Sequence, residues 1–193
     1  MIFSHVLSGT VLAATGVGVF LRFFGRVPFF NRLLWGFFFL TTALAALIGV
    51  IHYTGYEALE PLHQSMRALA GSLGVVCAVT ATYVLLNRQQ LSRPAFGVTV
   101  ALGLALFVAV LLPDVRVFAP IVPSLGILAL MLLAVFALLQ RNKRGLWIVL
   151  AAMLLGLATK APAFDALMHP TDFDHYASAL ALWFFGKAAE HKG

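Results

Sequence analysis

Cysteine is all but missing. Cys77 is the only one in 193 residues, so no disulfide can form within the chain, and its place in an apolar run leaves the redox compartment unread. Charge is scarce too: Asp, Glu, Lys and Arg make up 10% of the chain and only seven residues are acidic, far below the roughly 25% charged content of an ordinary soluble domain. Several catalytic signatures are also lacking. There is no Gly-rich phosphate loop, no Cys-x-x-Cys, no Gly-x-Ser-x-Gly elbow and no His-Glu-x-x-His. Their absence removes phosphate cradling, dithiol redox chemistry, the serine-hydrolase elbow and the zincin helix. No long linker, low-complexity segment or internal repeat interrupts residues 1–193, which read as one domain.

What is there is hydrophobic. Apolar and aromatic residues make up 62% of the chain and the mean hydropathy is +0.97, which describes an integral membrane protein. Lipid offers no partner to a bare N–H or C=O, so runs of about 20 apolar residues must cross it as helices. A transmembrane barrel would alternate in polarity, and these runs do not. Seven apolar runs follow one another, at 2–21, 33–51, 66–86, 95–112, 118–139, 145–161 and from 173 to about 187. The expected fold is therefore all-α, a bundle of seven transmembrane helices. Small residues four apart, Ala68 with Ser72 and Ala70 with Gly74, would let the third helix pack closely. In the fourth, Gly97, Ala101, Ala105 and Ala109 form a continuous small-residue face, expected to lie tightly against a neighbour.

The ionisable residues sort by side. Arg22, Arg26, Arg32, Arg88, Arg93, Arg141, Lys143, Arg144, Lys187 and Lys192, ten of the 13 basic residues, follow the first, third, fifth and seventh runs. Short basic loops stay cytoplasmic, so the N-terminus is expected outside and the C-terminus inside. The first run has no basic residue before it and is a retained helix, not a secretory signal. A net charge of +6 could suit nucleic acid, but cations scattered at helix ends serve membrane orientation instead, and no nucleic-acid partner is expected. The opposite side holds Glu57, Glu60, Asp114, Asp165, Asp172 and Asp174, and five of the six histidines: His5, His52, His63, His169 and His175.

That gathering of imidazoles is the main chemical hint, because the positive-inside rule counts Lys and Arg and says nothing of neutral His. His52 closes the second run, His63 opens the third and His175 opens the seventh. Three imidazoles from three helices would suit a catalytic Zn²⁺ with an open position for water, and Asp172 or Asp174 could act as base or orient a ligand. The plainer reading is a belt of polar residues at the interface, with Asp172 or Asp174 capping the seventh helix. His5, near the N-terminus, and His169, in a Pro-flanked loop, are weaker candidates, His191 reads as tail, and Glu57 and Glu60 as loop charges. Arg67 or Lys160 could neutralise carboxylates or hold an anionic lipid headgroup. Paired haem ligands would lie deeper in facing helices, and an ion pump would need ionisable residues within its spans; neither pattern is present.

In sequence pattern the chain resembles the superfamily of seven-helix membrane hydrolases that includes the alkaline ceramidases and the progestin and adiponectin receptors. His52 fits the helix-two His of ceramidases, His63 stands eleven residues on where they carry Asp, and His175 fits one of two helix-seven His. Thr171 and Ala179 flank it four residues either side, and Ile48 occupies the position of the superfamily's Ser. A closer resemblance is to small bacterial seven-helix proteins, through Ala-Ala-Leu-Ile-Gly-Val-Ile-His-Tyr-Thr-Gly at 45–55 and Asp-Phe-Asp-His-Tyr-Ala-Ser-Ala-Leu-Ala-Leu-Trp-Phe at 172–184. The resemblance implies a zinc-dependent hydrolase of a lipid amide or ester, in a bacterial cytoplasmic membrane, with membrane lipid as its partner. The other class open to it is a non-enzymatic sensor or assembly partner whose His cluster is structural or only binds metal.

Overall fold

The computed structural model describes residues 2–25 and 27–190, and of Arg116 the backbone only. Arg26, His191 and Lys192, assigned above to the basic side and the tail, lie outside the described residues. Among the described residues there are seven helices and no strand: α1 Ile2–Phe23, α2 Phe29–Tyr53, α3 Glu57–Leu86, α4 Arg93–Leu111, α5 Ile121–Leu139, α6 Arg144–Ala158 and α7 Pro170–Glu190. The first five are long and apolar enough to cross a membrane. α6 has 15 residues, short of the ~20 that a full crossing takes, and a 3₁₀ turn at Ala161–Phe164 follows it.

α3 is a composite rod. It opens as a 3₁₀ turn at Glu57–Leu59, continues as α-helix from Glu60 to Leu69, widens to a π-turn at Ala70–Gly74 and resumes from Val75 to Leu86. The 3₁₀ opening starts nine residues before the apolar run at 66, because the first turns of α3 carry polar residues, of which Gln64 and Arg67 are exposed. α2 stops at Tyr53, where Gly55 takes φ +110°, a left-handed conformation open to glycine without strain, and its N–H bonds the His52 carbonyl.

Apart from α4 and α5, helices that are neighbours in sequence pack as neighbours in space. α1 lies between α2 and α7, α7 packs on α6, α6 on α5, and α5 returns to α3, which packs on α2. Six helices thus close a ring, and α4 is attached outside it against α3. That attachment corrects the expectation for α4: Gly97, Ala101 and Ala105 are exposed, with open space around Gly97, and the packed face carries Thr99 and Gly103 instead. A Cβ on Gly103 would sit 2.9 Å from the Leu73 Cα. In α3, Gly74 does approach α2 closely, its missing Cβ falling 2.9 Å from Thr41 Oγ1.

The two ends of the ring differ. At the Arg-rich end Phe24, Trp35, Phe39 and Phe185 are almost wholly buried and their rings meet at 4.9 to 5.9 Å between centroids, an aromatic plug. There α3 and α5 both finish in Schellman turns, with Arg88 at φ +53° and Arg141 at φ +59°. Gln89 and Asn142 donate their N–H to the Val84 and Ala137 carbonyls. Two further carbonyls at the end of α3 are bonded by the α5–α6 loop, Leu86 O by Asn142 Nδ2 and Leu85 O by the Arg144 guanidinium. The opposite end of the ring is open and polar.

Candidate functional site

At the open end four helix termini meet: the start of α1, the end of α2, and the starts of α3 and α7. Two glycines make their approach possible. A Cβ on Gly9 would lie 2.7 Å from Val50 Cγ2 and 3.5 Å from His175 Cε1, so bare backbone lets α1 close on α2 beside the α7 imidazole. A Cβ on Gly49 would lie 2.9 Å from His63 Nε2, so its absence makes the space that the His63 ring occupies against α2.

α7 begins at Pro170, earlier than the apolar run suggested, because His169 caps it: the Thr171 N–H donates to His169 Nδ1 at 3.3 Å, and the N–H groups of Asp172 and Phe173 donate to the His169 carbonyl. Neither Asp172 nor Asp174 is the cap. Asp172 turns inward to α1 instead. Its Oδ1 accepts from the Ser8 hydroxyl at 2.6 Å and from His5 Nδ1 at 2.9 Å, while Ser8 Oγ lies 3.0 Å from His175 Nδ1. All four side chains are buried. A hydroxyl has one proton, and its shortest bond is to the carboxylate, so Ser8 accepts from His175 Nδ1–H. The network therefore assigns the proton of His175 to Nδ1 and leaves Nε2 as the lone-pair nitrogen. This is not the serine–histidine–aspartate relay, in which carboxylate and hydroxyl engage opposite ring nitrogens; here the carboxylate and Nδ1 meet at the same hydroxyl.

A second cluster lies on α2 and α3. Glu60 Oε2 is 3.0 Å from His52 Nε2 and 3.9 Å from His63 Nδ1, and the two imidazole centroids are 6.0 Å apart. Glu60, read from sequence as a loop charge, is the group that joins the two histidines. His52 Nδ1 is buried with no hydrogen-bond partner among the described residues. Tyr53 bridges the clusters: its ring lies 5.4 Å from His52, 6.1 Å from His63 and 5.2 Å from His5. His5 also packs on His169 at 4.3 Å.

The five residues expected to form the site are thus at one end of the molecule but in two groups. His52 and His63 are together, His175 belongs with Asp172, and Asp174 stands between α7 and the interior, accepting weakly from Ser178 at 3.5 Å. Among the described residues no three His, Cys, Asp or Glu are gathered closely enough to hold a metal ion. Missing from the sequence reading were Ser8 and the weight of His5. The available signal was a His and a Ser three apart on one face of a mostly apolar helix, a placement that lipid disfavours without a partner.

Between the clusters the ring encloses a cavity of about 520 Å³, within the range of small-molecule sites. His63, Arg67, Asp174, His175 and Tyr53 line its polar part, and Leu12, Phe38, Val75, Ile127 and Leu155 its body. Such a space suits a molecule with a polar head and an apolar tail. No curated protein and no solved structure matches the chain. Residues 4–193, nearly its whole length, match a family of unknown function, DUF6962, and the chain belongs to that family.

Proposed function

We propose that this protein is a membrane hydrolase of a lipid amide or ester, working at the polar end of its ring, on the extracytoplasmic side by the basic-residue bias. The observation that carries it is His175, its Nδ1 fixed through Ser8 and Asp172, among the lining of a cavity with a polar head and an apolar body. The resemblance of residues 45–55 and 172–184 to seven-helix hydrolases supports the same reading.

In this reaction His175 Nε2 takes a proton from water as the water oxygen bonds the carbonyl carbon. The imidazolium then returns that proton to the departing amine or alcohol as the C–N or C–O bond breaks. Asp172 positions His175 through Ser8, and Asp174 supplies a second acceptor in the cavity. Zn²⁺ held by His52, His63 and His175 does not fit the arrangement: His52 Nε2 engages Glu60, and the three donors do not converge.

The test is release of fatty acid from a panel of lipid amides and esters by the purified chain in nanodiscs, with metal content measured alongside. Turnover should fall at least about 100-fold in His175→Gln, the scale of a lost general base. Equal turnover in the two proteins defeats the proposal. Turnover that tracks bound zinc restores the metal reading with a rearranged site.

A second reading is supported by the pairing of the carboxylates within the two clusters. Glu60 pairs His52, and Asp172 pairs Ser8 and His5, as they would in a non-enzymatic membrane protein whose polar residues tie helix ends together. No turnover on any lipid, combined with loss of fold in Asp172→Ala, selects it.

A further inference from the structure

A second opening lies on the outside of the ring, where α3, the end of α4 and the start of α5 diverge. Its volume is about 510 Å³, and Gln64, Ser65, Arg67, Val110, Leu111 and Val122 are among its walls. α4 and α5 are the least buried of the five long helices, with 17% and 22% of their spans inside the protein against 56% for α2, so the opening faces the surrounding lipid. It shares Arg67, Gly71 and Pro123 with the inner cavity. Those three residues form the partition between the two spaces.

The charge on the two sides of this partition is unequal. Arg67 borders both spaces, but the inner cavity also holds Asp174, His63 and His175, whereas in the outer opening Arg67 is the one charged wall residue among those described. Arg67 enters none of the ion pairs among the described residues. It lies seven residues along the helix from Glu60, about 10 Å, a depth at which a long cationic side chain reaches lipid headgroups. Gln64 and Ser65 add polar groups beside it, and Val110, Leu111 and Val122 offer acyl-chain contact. Backbone geometry favours passage as well: Gly71 sits in the π-turn of α3, and a Cβ there would meet only Pro123 Cγ, at 3.9 Å.

We infer that the opening between α3, α4 and α5 is a lateral binding site and entrance for an anionic membrane lipid, whose headgroup Arg67 recognises and whose route inward passes Gly71. This rests on the hydrolase reading for its destination, and on the outer opening alone for its ligand.

The experiment separates the two. Purified full-length chain in neutral detergent is titrated with ether-linked, non-hydrolysable phosphatidylglycerol and with the matching phosphatidylcholine, each carrying a fluorescent acyl chain. The anionic lipid should bind at least about tenfold more tightly, equivalent to about 1.4 kcal/mol. Arg67→Gln should abolish the preference and Arg67→Lys should keep part of it. Gly71→Trp, filling the partition, should weaken binding of the anionic lipid, whereas Gly97→Trp, in open space on α4, should not. Equal affinity for the two lipids overturns the inference, as does a preference that survives Arg67→Gln. A preference erased by millimolar inorganic phosphate also overturns it, since that would mark a small-anion site. Selective binding without turnover of any ester leaves this site standing and sinks the hydrolase alone. Turnover with no anionic preference does the reverse.

Discussion

The Ser8 hydroxyl stands 3.0 Å from His175 Nδ1 and 2.6 Å from Asp172 Oδ1, joining two helices whose residues are 164 and 167 positions apart. Removing it separates the roles of the three groups. In Ser8→Ala the carboxylate loses a buried donor and His175 loses its tautomer lock, at a stability loss of about 1–3 kcal/mol. Nitrogen NMR of labelled histidine should show His175 moving from a single Nδ1–H form to a mixture. An unchanged spectrum would mean that Ser8 does not set the tautomer.

Asp172 and Glu60 each hold imidazoles, yet their side chains differ in exposure, 9% against 43%. Burial decides the expected cost. Asp172→Asn should destabilise the protein by about 1–3 kcal/mol, the cost of disrupting buried hydrogen bonds to Ser8 and His5, while Glu60→Gln should change stability by about 1 kcal/mol or less. Thermal or denaturant unfolding in detergent measures both. A larger loss for Glu60→Gln would show that the α2–α3 cluster, not the α1–α7 cluster, holds the end of the bundle.

The packed face of α4 is open to a direct comparison. Gly103→Leu forces a side chain into the Leu73 backbone and should cost about 1–3 kcal/mol. Gly97→Leu enters open space and should be within about 0.5 kcal/mol of the native protein. Equal losses would place both faces of α4 in contact with other groups.

Cys77 is wholly buried, so single surface cysteines report topology with little background. With the N-terminus outside, Thr54→Cys should react with a membrane-impermeant maleimide on intact cells, and Gln140→Cys only after lysis. The opposite pattern inverts the molecule, and labelling of both positions from one side removes the alternating arrangement of α2 and α5.

Arg88 and Arg141 occupy left-handed positions that favour glycine. Arg88→Gly and Arg141→Gly should each raise stability by up to about 1 kcal/mol, the relief of strain being offset in part by the entropy of the unfolded glycine. A loss of more than that would show that their side chains contribute at the Arg-rich end beyond the turn.

Sequence alone determined the helices and their two polar ends. Hydrocarbon leaves no backbone group unpaired, so the apolar runs had to be helical, and the runs starting near 2, 33 and 95 agree with α1, α2 and α4 to within a few residues. The placement of His52, His63, Asp172, Asp174 and His175 at one end followed from alternating helix direction. Tertiary structure decided the rest. Which face of α4 packs was hidden because lipid and protein are equally apolar, so small residues such as Ala101 and Gly103 carry no burial signal to tell them apart. The division of the histidines was hidden for another reason: whether His175 meets His52 or Ser8 depends on how α7 closes the ring against α1. That choice is made by close contacts such as Gly9 against Val50 and Gly186 against Val19 and Phe23, between residues far apart in the chain, and no local pattern encodes it.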